Sequence, residues 1–117
     1  MSDAYDLFRE GQKRLRKGLT AQATVPLEKA KKLEPEKASI REALGIAYFR
    51  LARWQEAEAE FRTIVEHLSP TDHYAHYALG RALEHQGKTA EANGHYKLAS
   101  SMKPSSETYA SRILDLE

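Results

Sequence analysis

Five histidines have the widest chemical range in this chain: His67, His73, His76, His85 and His95. An imidazole can move a proton or ligate a metal. His73 and His76 stand three residues apart, so both fall on one face of a helix. Two imidazoles make an incomplete metal site, and no acidic residue sits at an obvious third-ligand spacing. The pair therefore reads as solvent-exposed histidines at a helix start. Ser100, Ser101, Ser105 and Ser106 flank Pro104 and read as helix-end and capping residues, not nucleophiles. The chain has no cysteine, which excludes a disulfide framework, a thiolate nucleophile and a cysteine metal site. Its glycines are singletons, with no phosphate-cradling loop. No enzyme, metal or cofactor is expected.

Binding is the remaining chemistry, and the elements that would position it are helical. Leu44, Tyr48 and Leu51 are four and three residues apart and share one helical face. Gly45 and Ala52 lie beside that stripe, where a small residue lets a second helix approach. Ala57 and Phe61 are four apart on the next helix, one small at the crossing and one large enough to fill the groove. Between them Leu51-Ala52-Arg53-Trp54 is a short turn, with Trp54 covering it from outside.

This pattern recurs. Gly11, Gly45 and Gly80 are separated by 34 and 35 residues (11 to 45, 45 to 80), and so are Ala23, Ala57 and Ala92. Leu27, Phe61 and Tyr96 keep the same phase. Pro35, Pro70 and Pro104 follow at 35 and 34, so one extra residue lies between Phe61 and Pro70. Each proline closes a unit, because it cannot continue a helix comfortably and biases the residue before it away from helix. Glu36, Thr71-Asp72 and Ser105-Ser106-Glu107 then suit helix entry.

Leu44-Gly45-x-x-Tyr48 followed by Ala57-x-x-x-Phe61 resembles the core of the tetratricopeptide repeat pattern, a helix–turn–helix unit of about 34 residues. The resemblance implies an all-α, right-handed superhelical solenoid of three such repeats plus a C-terminal capping helix. The repeats run from about 4 to 37, 38 to 72 and 73 to 104, with the capping helix from about 105 to 117. A length of 117 residues fits a single domain. The chain also looks like the small stand-alone repeat proteins of bacteria.

The first unit departs from the pattern. Glu10 and Arg14 occupy the positions of Leu44 and Tyr48, a polar face that suits a terminal repeat. Pro26 falls within its second helix. Either the helix bends there or it starts late, and a late start or irregular first turn is the expectation. In the third unit Asn93 and Gly94 weaken the second helix. Gly94 costs up to about 1 kcal/mol relative to alanine. From Ser106 a last helix is expected to align Tyr109, Ile113 and Leu116.

Formal net charge is +1, too near balance to point to nucleic acid. The first 37 residues carry nine lysines and arginines against six carboxylates. No aromatic is interleaved among Lys13–Lys17 or Lys29–Lys32, so single strands have no stacking platform and a solvated outer face is the simpler reading. No apolar run is long enough to span a membrane. The N-terminal Met-Ser-Asp-Ala-Tyr-Asp lacks a signal-peptide core. A cytoplasmic location is expected.

In the family, first helices line the concave face. The resemblance carries that face onto Tyr5, Phe8, Gln12 and Leu15 in the first unit, Ser39, Glu42, Ile46 and Phe49 in the second, and Tyr74, Tyr77, Arg81 and Glu84 in the third. This is an aromatic and apolar groove with a few polar groups. Phe8 and Leu15 also suit a cover over the open N-terminal end, and Phe49 fits groove or core equally. One subset of the family grips a C-terminal carboxylate with lysines, asparagines and an arginine. This chain has Phe8, Gln12, Ala43, Tyr74 and Ala78 there, so that clamp is absent. The resemblance implies a scaffold or adaptor whose groove takes a peptide or partner helix, with no small-molecule substrate. The alternative is a homo-oligomer formed through the groove or the N-terminal edge. A nucleic-acid-associated factor rests on the basic first unit alone.

Overall fold

Pro35, Pro70 and Pro104 stand in short loops that divide a computed structural model, describing residues 3–113, into helical hairpins. α1 (Ala4–Arg16) packs on α2 (Thr20–Leu33), α3 (Ala38–Arg50) on α4 (Trp54–Thr63), and α5 (His73–Glu84) on α6 (Thr89–Met102). α7 (Glu107–Arg112) packs on α6. Stacked side by side, the hairpins form the right-handed superhelical solenoid expected, 54 × 24 × 22 Å in extent. Among the described residues no helix is long and apolar enough to cross a membrane.

The hairpins close because one face of each first helix has no side chain at the crossing. Gly11 faces Leu27, Gly45 faces Phe61 and Gly80 faces Tyr96. A Cβ on Gly45 would stand 2.6 Å from the Phe61 ring. The three large partners are fully buried, and burying each stabilises the fold by about 1.5–3 kcal/mol. Ala23, Ala57 and Ala92 are buried beside them. Ala52 does not share this role. It is exposed in the α3–α4 turn with φ of 58°, at the place where the other hairpins use Gly18 and Gly87, φ 77° and 78°. The turn requires a left-handed residue, and the middle hairpin meets that need with alanine.

The extra residue between Phe61 and Pro70 has a definite form. Ile64–Leu68 is a π-helical turn continuing α4, and the Ser69 amide donates to the Ile64 carbonyl at 2.7 Å. A π turn absorbs one inserted residue without ending the helix. Ile64 and Val65 thereby stay buried while Glu66 and His67 face outward.

The late start expected for α2 is not found. Pro26 lies inside α2, buried, six residues after its first residue Thr20. Proline removes the amide that would bond four residues back, to Gln22. The Arg14 guanidinium donates to that Gln22 carbonyl at 3.0 Å and pairs with Glu10 at 3.0 Å. The polar residues at the pattern's apolar positions thus support the helix that proline interrupts.

Side-chain caps open three helices. Asp3, Asp72 and Ser106 accept from the amides of Asp6, Ala75 and Tyr109 at 2.9, 3.0 and 3.2 Å. α3 opens at Lys37 with no side-chain cap, so Glu36 does not serve as one. α7 ends at Arg112, and Ile113 is extended and partly exposed rather than on a shared helical face. Leu116 lies outside the described residues.

Charge is buried where the first and second hairpins meet. Glu60 on α4, 4% exposed, accepts from Lys31 of α2 at 2.8 Å and Arg41 of α3 at 3.0 Å. Arg41 also donates through Nε to the Pro35 carbonyl at 2.9 Å. A buried carboxylate is tolerated only when paired in this way.

Candidate functional site

The first helices present their faces side by side because each second helix packs behind its own partner. α1 and α3 enclose a cleft of about 260 Å³ lined by Phe8, Gln12, Leu15, Arg16, Ser39, Glu42, Ala43, Ile46 and Arg50. α3 and α5 enclose a second of about 220 Å³, lined by Ile46, Phe49, Arg50, Phe61, Tyr74, Tyr77, Ala78 and Arg81. Ile46 and Arg50 belong to both, so the clefts form one continuous groove.

Tyr5 sits apart. It shares a third cleft with Asp3, Ala4, Phe8, Glu34, Lys37 and Ile40 at the N-terminal edge, joined to the groove through Phe8. Glu84 lines neither main cleft. Its carboxylate accepts from the buried Tyr96 hydroxyl at 2.7 Å, which holds α5 to α6. Burial and that bond push the Tyr96 hydroxyl well above its usual range.

Four aromatics, Phe49, Phe61, Tyr74 and Tyr77, line the second cleft. Tyr74 and Tyr77 lie 6.2 Å apart, Tyr74 meets Phe61 edge-on at 6.3 Å, and Tyr77 meets Tyr109 of α7 at 5.1 Å. Phe49 meets Trp54 and His85 edge-on at 4.9 and 5.3 Å. Trp54, the first residue of α4, stacks on His85 at 4.0 Å, so it bridges two hairpins as well as covering its turn.

Arg81 lies over the Phe49 ring at 5.2 Å and donates to the Tyr77 hydroxyl at 3.3 Å. Arg50 donates to the Leu15 carbonyl at 3.5 Å. Among the described residues neither arginine meets a carboxylate, whereas Arg14, Arg41, Arg53 and Arg62 each do. One carboxylate, Glu42, lines the first cleft. Burial, and then the charge of Asp72, raises the Glu42 carboxyl above its usual range. Burial, and then Glu42, raises the Tyr74 hydroxyl.

Arg16 and Arg50 line the clefts but are not among the groove positions that the resemblance supplies. Arg16 and Arg50 end their helices 34 residues apart, and that shared phase is the signal that finds them. The histidines also differ from expectation. His76 is buried, with Nε2 at 2.8 Å from the Pro70 carbonyl and Nδ1 at 3.0 Å from His95 Nδ1. His73 is half-buried and bonds the Tyr109 hydroxyl at 2.7 Å. They do not sit free at a helix start.

Three stacked helix–turn–helix units with a groove along their first helices define an α-helical repeat protein. The family described as tetratricopeptide repeat matches residues 8–73 and 42–107, and the chain belongs to that family. No curated protein matches it. Among solved structures it is similar to the first such domain of Spaghetti (RPAP3), bound to the HSP90 peptide SRMEEVD. The two are 22% identical with a TM-score of 0.89, over 95% of this chain and 87% of that one. A crystal structure of MamA is 24% identical with a TM-score of 0.90, over 94% of this chain and 64% of that one. The Arabidopsis OM64 domain is 18% identical with a TM-score of 0.88, over 94% and 90%. The chain thus spans a little under two thirds of the MamA chain. At these identities the likeness is one of fold.

Proposed function

We propose that the groove is a protein-binding surface that takes a peptide or partner helix carrying apolar side chains and at least one carboxylate. The observation that carries this reading is the second cleft. There three partly exposed aromatics, Phe49, Tyr74 and Tyr77, stand beside two arginines that meet no carboxylate within the described chain. Aromatic anchors flanked by arginine are the residue types that dominate protein interfaces. A carboxylate between Arg50 and Arg81 would gain charge-assisted hydrogen bonds, while an apolar neighbour fills the aromatic cleft. On this reading the protein is a scaffold or adaptor and not an enzyme.

A displayed library of random twelve-residue peptides, selected on the wild type, tests this. Selected sequences should combine aspartate or glutamate with large apolar residues. They should lose at least tenfold in affinity for a folded Phe49→Glu, Tyr77→Glu variant. Selected peptides that bind the variant equally well would move the site off the groove.

A second reading has its own observation. Tyr5 is 62% exposed at the N-terminal edge, where no further hairpin covers it in the described chain. Self-association through that edge would show in light scattering as a dimer that Tyr5→Lys dissociates. A monomeric wild type at high concentration removes it.

A further inference from the structure

His76 and His95 stand 35 residues after Arg41 and Glu60, in the same places of the next hairpin. Arg41 donates to the carbonyl of Pro35 and pairs with Glu60. His76 bonds the carbonyl of Pro70, the matching proline, and meets His95. Where the second hairpin has an ion pair, the third has two imidazoles in the matching places.

The hydrogen bonds fix where protons sit. A carbonyl only accepts, so His76 Nε2 carries hydrogen. In the neutral ring His76 Nδ1 is then an acceptor, and His95 Nδ1 must donate to it. Of the two ring nitrogens without hydrogen, His76 Nδ1 is taken up by that bond and His95 Nε2 is left open to a proton. One added proton can enter there. A second would have to enter at His76 Nδ1, against the hydrogen already on His95 Nδ1 across 3.0 Å. The closed pair therefore takes up one added proton at most, where two separated imidazoles take up two.

The first added proton is also disfavoured. Burial is the largest influence holding His95 below its usual range, followed by the neighbouring His76. Around His95, Glu91 on α6 lies 4.0 Å from Nε2, but that carboxylate already pairs with Arg62 of α4 at 2.7 Å. Glu66 of the π turn favours the proton and Arg62 opposes it. His76 faces only His95 and the Pro70 carbonyl by hydrogen bond.

We propose that the His76–His95 pair is a proton-operated latch: as the solution becomes acidic, proton uptake parts α5 from α6 and loosens the third hairpin. Unfolded or opened histidines take up protons near pH 6.5, and the closed pair does not match them. The latch is thus complete above that pH and weakens below it. Each proton excluded from the closed form multiplies the opening constant by up to about ten per pH unit. α5 also carries Tyr74 and Tyr77, so opening would remove one wall of the groove. That consequence rests on the binding reading above, while the latch itself does not.

Hydrogen exchange on the full chain, corrected for intrinsic rates, tests the latch. Between pH 6.5 and 5.5 the amides of α5 and α6 should open about three- to tenfold more, and those of α1 to α4 should change less. The variant His76→Arg, His95→Glu, which transplants the pair of the second hairpin, should lose that selective response. An equal response in the variant, or one spread evenly along the chain, overturns the proposal. Should the variant not fold, imidazole nitrogen NMR of the wild type decides. His95 protonated at Nδ1, with the pair taking up fewer than two protons before opening, is the expected result. Two independent titrations near 6.5 overturn it. Affinity of a selected peptide at both pH values is measured separately: a working latch with unchanged affinity counts against the groove and not against the latch.

Discussion

The Arg14 guanidinium donates to the Gln22 carbonyl, the backbone oxygen that Pro26 leaves without its helical amide. The arginine and the proline are therefore one arrangement. Arg14→Met should cost about 1 kcal/mol in the wild type, the worth of a part-exposed charge-assisted bond. In a Pro26→Ala background the restored amide satisfies Gln22, and the same change should cost clearly less. Urea unfolding of the four proteins gives the coupling directly, and a coupling of zero would separate the two residues.

Ala52 holds a left-handed φ of 58° with its side chain in solvent. A Cβ in that conformation is strained by about 1–2 kcal/mol, part of which glycine loses again through its freer unfolded chain. Ala52→Gly should therefore stabilise by about 0.5–1 kcal/mol. Gly94 presents the opposite case, with open space where a methyl would stand and helix on both sides. Gly94→Ala should gain a similar amount. Thermal unfolding should show each change raising the midpoint by a few degrees, and the two adding in the double variant.

Gly45→Ala should destabilise by about 1–3 kcal/mol, because the added methyl meets the Phe61 ring. Phe61→Leu makes room and copies the Gly11–Leu27 pairing of the first hairpin. Denaturant midpoints should show the double variant less destabilised than the two single changes summed. Strict additivity would mean the crossing does not limit the hairpin.

Glu42 gives a pH dependence of known sign. Burial and Asp72 raise its carboxyl in the folded chain, so folding favours the protonated form. That favourable term is present below the unfolded value of about 4.3 and is lost as pH rises through the folded value. Glu42→Gln should be more stable than wild type at pH 7, with the advantage shrinking toward pH 4. Stability curves measured from pH 4 to 7 check this, and parallel curves would refute it.

Spacing alone exposed the hairpins, the small residues Gly45 and Ala57 with the large Phe61, and the place of the extra residue, because side-chain size at a helix crossing is a local rule. Three things escaped it. The π form of Ile64–Leu68 is decided by which residues must stay buried, and not by their propensities. Pro26 reads as a helix breaker when its only partners are sequence neighbours, and the Arg14 contact that tolerates it comes from another helix. His73 and His76 read as exposed because three-residue spacing says nothing of what the opposite helix presents. Comparing units position by position would have matched Arg41 and Glu60 with His76 and His95. For the groove, the family resemblance led to Phe8, Ile46, Phe49, Tyr74 and Tyr77, all of which line the clefts. It also led to Glu84, which an internal bond engages instead.

The π turn at Ile64–Leu68 makes the two joints of the array unlike. A duplicated middle unit would set its π turn against a second copy of α3, a helix that otherwise follows α2 with no extra residue. A duplicated first unit placed before α5 would arrive one residue short. Neither unit can be copied without making a joint that the array does not now contain, so the order of the hairpins is written into their joints.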